Sequence, residues 1–293
     1  MLNSNKLSLG TAKLGIPEYG YSDGSFLKDP VNFILRSLNL GIRSIDTSSR
    51  YGNSEELIGK ALKIYKKKIF ISTKIDNLMS NQVNTPEQML NSINDSISKL
   101  KTNIDVCYLH QNDIKIISDK YVHQGINLLK NNNLIKEVGT SVYSKEELIY
   151  TLECGIFDWV QIPVNILDTS FYRVISDSNS QIKVSARSVF LQGIIIDDQW
   201  AKTSVKDHKE LLNTLSIVKE LCSSFSITIQ QLSIAYLVSL DQINQVIVGT
   251  ISNDKLKDNI LSTRIKLADK LISNINEISS TSKPWTNPRN WKQ

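Results

Sequence analysis

The chain has 293 residues, 41% hydrophobic and 22% charged, a balance typical of a globular protein with a sizeable core. Its net charge of +5 is spread along the chain. It does not gather into a basic face interleaved with aromatics, which argues against nucleic-acid binding. Three widely spaced cysteines, Cys107, Cys154 and Cys222, form no C-x-x-C pair, so reduced thiols are expected rather than a disulfide framework or zinc site. No apolar run approaches the roughly 20 residues a bilayer span needs. No basic segment followed by an apolar one opens the chain. The expectation is therefore a cytoplasmic protein with no membrane partner and no metal.

In chain order, short β-type runs alternate with longer helix-patterned segments. The runs are Leu7–Thr11, Ile42–Asp46, Ile69–Lys74, Ile104–His110, Ile135–Ser141, Phe157–Ile162, Ile182–Arg187 and Val246–Thr250. Each is short, mostly apolar and bounded by a polar residue or glycine, as strands buried on both faces of a parallel sheet should be. Helix punctuation falls between them. Asp29-Pro30 supplies an N-cap and a proline at the first helical position, and Gly41 closes that helix. Thr85, Ser144 and Thr228 each stand three residues before Gln or Glu, the spacing of a capping box. Lys66-Lys67-Lys68 reads as a solvated helix end.

Eight strands alternating with helices predict parallel pairing through right-handed crossovers. The eight-fold count predicts a closed (β/α)₈ barrel in one domain over residues 1–293. A Rossmann sheet would need a glycine-rich turn after its first strand, and Gly10-Thr11-Ala12-Lys13-Leu14-Gly15 lacks that spacing. Two stretches break the alternation. One is the connection after Gly193, through Asp197, Asp198, Trp200 and Lys206; the other is the tail from about 280, with Trp285 and Trp291. Two tryptophans predict that the tail docks, with part of the barrel mouth as its expected seat.

Polar residues at the C-terminal ends of barrel strands point into a shared mouth. Here those ends carry Asp46, Lys74, His110 and Ser141, then Gln161 and Asn165, Arg187-Ser188 and Gly249-Thr250; Tyr51 lies five residues beyond Asp46. A carboxylate, an amine, an imidazole and a phenol around one opening suit proton transfer to a developing alkoxide. The phenol would donate the proton, and a neighbouring ammonium would bring its pKa down from about 10. The carboxylate would hold that ammonium, and imidazole would hydrogen-bond a carbonyl oxygen. Taken singly, each has a blander reading: a buried ion pair, a satisfied histidine, a packed aromatic. Four at successive strand ends are not explained by packing. None of them supplies electrons, so a cofactor must.

The block Gly41–Glu55, with Asp46-Thr47-Ser48-Ser49-Arg50-Tyr51-Gly52 at its centre, resembles the signature of the aldo-keto reductases. The likeness continues through Ile71–Lys74, Ile104–His110, Val138–Ser141, Gln161–Asn165, Arg187–Gly193 and Val246–Asn259. It implies a (β/α)₈ barrel that binds a nicotinamide cofactor without a Rossmann motif. In that family's terms Tyr51 is the general acid, Lys74 and Asp46 tune it, and His110 orients the carbonyl. Ser141, Gln161 and Asn165 would lie around the nicotinamide, with Ser188, Phe190 and Gly193 flanking it or the pyrophosphate. Gly249, Thr250, Lys255, Asp258 and Asn259 would hold the adenosine end, where Lys255 could pair with a 2′-phosphate. That favours NADP(H) without excluding NAD(H).

Three departures stand out. Val142 replaces a frequent asparagine, and Lys255 replaces the more usual arginine. Arg187 stands where many members put an aromatic ring, and its planar guanidinium could stack on the nicotinamide instead. The expected activity is reduction of a small aldehyde, ketone or sugar-like substrate. The competing expectation, from a different class, is a nicotinamide-binding accessory subunit with little turnover; the intact tetrad argues against it.

Overall fold

The computed structural model describes residues 6–21, 27–110 and 113–291. Eight strands, β1 (Leu7–Gly10), β2 (Ser44–Asp46), β3 (Phe70–Ile75), β4 (Ile104–Leu109), β5 (Ile135–Ser141), β6 (Trp159–Pro163), β7 (Lys183–Arg187) and β8 (Ile243–Gly249), pair in parallel and in sequence order. β1 closes the barrel against β8, with Leu7 opposite Val246 and Gly10 opposite Gly249. Along the strands Leu9, Ile45, Ile71, Val160, Val184 and Val246 are buried, as a parallel barrel wrapped in helices requires.

Three strand starts differ from the sequence reading by two residues or more. β2 begins at Ser44 rather than Ile42, because Ile42 N–H bonds back to Ser37 and is still completing the helix exit. β6 begins at Trp159 rather than Phe157, since its first rungs face Gly139 and Lys183. β8 begins at Ile243, three residues early, because a shift in register against β7 brings Ile243 opposite Val184.

The barrel interior is crossed by a polar chain rather than filled with apolar side chains alone. Ser8 and Ser44 hydroxyls bond at 3.0 Å, Gln245 Nε2 donates to Ser44 Oγ, and Ser185 Oγ donates to Gln245 Oε1. The Tyr108 hydroxyl meets Ser185 at 2.9 Å. Satisfying each of these buried groups offsets its desolvation. Gly139 makes room for the Tyr108 ring: a Cβ there would lie 2.5 Å from it.

The helix caps follow the sequence at Asp29, Ser144 and Thr228, the last two with both arms of the box formed. Thr85 does not cap. It is already the first residue of the helix Thr85–Leu100, and its buried hydroxyl finds no partner. The connection after β7 is more regular than expected. It holds a 3₁₀ turn, Leu191–Gly193, and a helix, Asp198–Ser204, capped by Asp197.

The tail is fixed by its indoles. Trp285 is buried and donates to Glu210 Oε2 (3.1 Å), Thr286 Oγ1 donates to Asp168 Oδ2 (2.7 Å), and Trp291 donates to the Trp285 carbonyl (2.9 Å). Trp285 thus seats the tail beside the helix Lys209–Ser224, and Trp291 is tied back to it. Truncation after Ser282 should cost at least about 2 kcal/mol, from the Trp285 ring alone. A chemical-denaturation midpoint unchanged by the truncation would show that the tail seals nothing.

Candidate active site

The C-terminal ends of the strands gather the tetrad. Lys74 and Asp46 are almost wholly buried, and Lys74 Nζ donates to Asp46 Oδ1 at 2.6 Å and to the Thr47 carbonyl at 2.8 Å. Asp46 Oδ2 also accepts from Ser72 Oγ (3.1 Å) and from Gln161 Nε2 (3.0 Å). This buried carboxylate accepts three hydrogen bonds, one of them from the Lys74 ammonium, which offsets the cost of its burial.

The loop between β2 and the helix Ser54–Tyr65 carries Tyr51, and its polar residues are its anchors. Thr47 bonds Ser54 (3.1 Å), Ser49 Oγ donates to the Lys74 carbonyl (3.1 Å), and Thr73 Oγ1 donates to buried Glu55 (2.6 Å). Gly15 and Gly52 let the loop press on the turn Ala12–Gly15. A Cβ on Gly15 would lie 1.7 Å from the Tyr51 carbonyl oxygen, and one on Gly52 2.4 Å from the Gly15 oxygen. Tyr51 is held over the ion pair, with Lys74 Nζ 5.2 Å from its ring centroid. The His110 ring stands edge-on at 6.1 Å.

The electrostatics differ from the sequence expectation. The Tyr51 phenol lies above its ordinary value rather than below it. Burial is the main cause; Asp46 and Tyr143 add to it, and Arg187 opposes it. Lys74 fails to bring the phenol down because its charge is cancelled by Asp46 at contact distance. A phenol kept protonated at neutral pH is nonetheless what a proton donor needs.

His110 is pushed down to about 4 by burial first and by Lys74 second, with Asp76 pulling the other way. The imidazole is therefore neutral at neutral pH. Asp76 escaped the sequence reading because it lies two residues past Lys74 on the same strand exit. Its Oδ2 meets His110 Nδ1 at 3.2 Å and Arg50 Nη1 at 2.8 Å. Ser48 Oγ sits 3.5 Å from the same Nδ1.

The residues expected around a cofactor fall into two groups. Ser141, Gln161 and Asn165 are buried near the tetrad side. The Gln161 amide is committed to Asp46, and the Asn165 amide braces its own loop through the Ser188 carbonyl and Leu167 N–H. Ser188, Leu191, Gln192 and Gly193 have positive φ (63°, 45°, 53°, 101°), and Phe190 sits between them, packed on the core. Gly193 also lies against Tyr21, whose N–H bonds the Gln192 carbonyl at 2.9 Å. Arg187 does not wait open for a ring. Its guanidinium already stacks on Tyr143 at 3.9 Å, donating to the Val142 carbonyl (2.9 Å) and Ser188 Oγ (3.3 Å).

At the far end Gly249 closes β8 and Thr250 Oγ1 accepts the Ser252 N–H (3.1 Å). Ser252 caps the helix Asn253–Ser262 by accepting the Lys255 N–H. Lys255 and Asp258 are exposed on that helix, while Asn259 is buried and accepts from Gln230 Nε2 (2.8 Å). Among the described residues no group of three or more His, Cys, Asp or Glu is arranged to hold a metal ion. No single described helix is long and apolar enough to cross a membrane.

The sequence profile of the Aldo/keto reductase family matches residues 6–280. The chain belongs to this family. It is 24% identical over 280 residues to the uncharacterized oxidoreductase YqkF of Bacillus subtilis, covering 87% of this chain and 90% of that protein. It is 20% identical over 309 residues to the NADH-specific methylglyoxal reductase of Escherichia coli, covering 90% and 95%. Among solved structures, the thermostable aldo-keto reductase Tm1743 bound to the inhibitor epalrestat superposes with a TM-score of 0.73 at 20% identity, over 93% and 94% of the two chains. An aldo/keto reductase from Brucella melitensis gives 0.66 at 18% identity, over 93% and 94%. At such identities the superpositions establish the (β/α)₈ fold of this family member.

Proposed function

We propose that this aldo/keto reductase family member reduces the carbonyl of a small aldehyde or ketone, with Tyr51 as proton donor. One observation carries the reading: the Tyr51 phenol held over the buried Lys74–Asp46 ion pair, with the His110 imidazole edge-on beside it. The relatives named methylglyoxal reductases point the same way, toward a short, reactive carbonyl.

The residues present fit a nicotinamide dinucleotide. The positive-φ residues Ser188, Leu191, Gln192 and Gly193 offer the left-handed backbone from which anion-binding nests are built. The capped N-terminus of the helix Asn253–Ser262 offers a second set of N–H groups for phosphate. Ser141, Gln161 and Asn165 would line the nicotinamide end, and Thr250, Lys255, Asp258 and Asn259 the adenosine end. Bound there, the nicotinamide supplies the two electrons and one hydrogen that the carbonyl carbon gains.

The protein's part is the oxygen. As negative charge builds there, Tyr51 donates its proton, forming the O–H bond of the alcohol and leaving a phenolate. Lys74 lies close enough to stabilise that phenolate, an interaction present only once the charge has formed. Solvent then returns the proton. Tyr51 is the carbonyl's proton donor, and His110, edge-on to the Tyr51 ring, orients the carbonyl beside it.

NADP(H) is the favoured cofactor because Lys255 places a cation on the first turn of the helix Asn253–Ser262. Lys255→Ala should weaken NADPH binding about tenfold or more, as loss of one charge-assisted hydrogen bond predicts. NADH binding should change far less. Fluorescence titrations with both cofactors decide it; equal losses would show that Lys255 does not read the phosphate.

A further inference from the structure

The C-terminal tail brings a second guanidinium to the mouth. Arg289, from the 3₁₀ turn Pro288–Asn290, stacks on Tyr143 with its Cζ 3.7 Å from the ring centroid. Arg187 stacks on the same ring at 3.9 Å. Tyr143 follows the end of β5, and Arg187 ends β7, so the stack stands on the catalytic rim of the barrel. The positive charge of Arg187 is felt at both Tyr51 and His110.

The pair lacks a counter-charge. Arg50 has Asp76, Lys74 has Asp46, and Lys283 has Glu210. Among the described residues no carboxylate pairs with Arg187 or Arg289. Arg187 donates only to a carbonyl and a hydroxyl, and its buried Nε has no partner. Two like charges brought to one ring repel each other, and the ring holds the two planar groups in place without neutralising either. Guanidiniums so placed match a carboxylate in shape and charge.

We propose that Arg187 and Arg289 form an anion subsite beside the catalytic tyrosine, and that the substrate is an aldehyde or ketone bearing a carboxylate. The carboxylate docks at the Arg187–Tyr143–Arg289 stack while the carbonyl faces Tyr51. This rests on the carbonyl-reductase reading of the same site. The competing source of an anion at the rim is the cofactor's own pyrophosphate.

The test compares succinic semialdehyde with its neutral primary amide, two aldehydes of one shape that differ in charge. Calorimetry on the NADP⁺ complex measures the binding of each without turnover. The wild-type protein should bind the carboxylate at least about tenfold more tightly. Arg289→Gln should bring the two toward parity, and Arg289→Lys should recover part of the preference. The NADPH dissociation constant of Arg289→Gln should match that of the wild type.

A wild-type protein with no preference overturns the subsite, and so does a preference that survives Arg289→Gln. Weakened NADPH binding with an unchanged preference assigns the guanidinium to the pyrophosphate and also overturns it. Carboxylate preference without reduction of either aldehyde would uphold the subsite and remove the reductase reading instead.

Discussion

Tyr51→Phe is expected to lower carbonyl reduction by about 10²–10⁴-fold, the usual contribution of a positioned general acid. NADPH affinity should stay near the wild-type value. The phenol hydroxyl is the only group the substitution removes. The ring that packs against His110 and over Lys74 remains, so the loop anchored by Thr47, Ser49 and Glu55 has no reason to move. Steady-state rates with a fixed aldehyde, alongside a fluorescence titration of NADPH, separate the two effects. Wild-type turnover in the variant would remove Tyr51 from the chemistry.

Lys74→Met is expected to destabilise the protein by about 3–5 kcal/mol, because it strands the Asp46 carboxylate in the barrel without its cation. Ser72 and Gln161 would still donate to Asp46, but neutral donors do not replace a charge at 2.6 Å. The double variant Asp46→Asn, Lys74→Met leaves no stranded charge and should recover most of the stability while staying inactive. Urea unfolding of the three proteins checks this. A Lys74→Met variant as stable as the wild type would mean that the buried pair is not ionised as drawn.

The barrel was legible because each strand is a short apolar run flanked by punctuation that has a mechanism. Asp29, Ser144 and Thr228 cap their helices as their spacing says. The misplaced edges have local causes: the β7–β8 register shift extends β8 back to Ile243, and residues before Thr85 already turn toward the helix. The tetrad was legible for the same reason, since strand ends are fixed by the strands.

What the sequence hid were relations through space. Asp76 Oδ2 comes within 3.2 Å of His110 Nδ1 from a different strand exit. Gln161 turns its amide onto Asp46. Arg289, about a hundred residues beyond Arg187, reaches the same tyrosine ring. The direction of the Tyr51 shift was hidden too, because its main cause is the burial of the phenol, which depends on the fold around it and not on spacing.

The most direct measurement follows NADPH absorbance and alcohol formation together in purified protein given a small aldehyde such as methylglyoxal. The site described here predicts one alcohol formed for each NADPH consumed, and no consumption when the aldehyde is omitted. Protein that binds NADPH yet leaves its absorbance constant across a panel of neutral and carboxylated aldehydes would contradict carbonyl reduction at Tyr51.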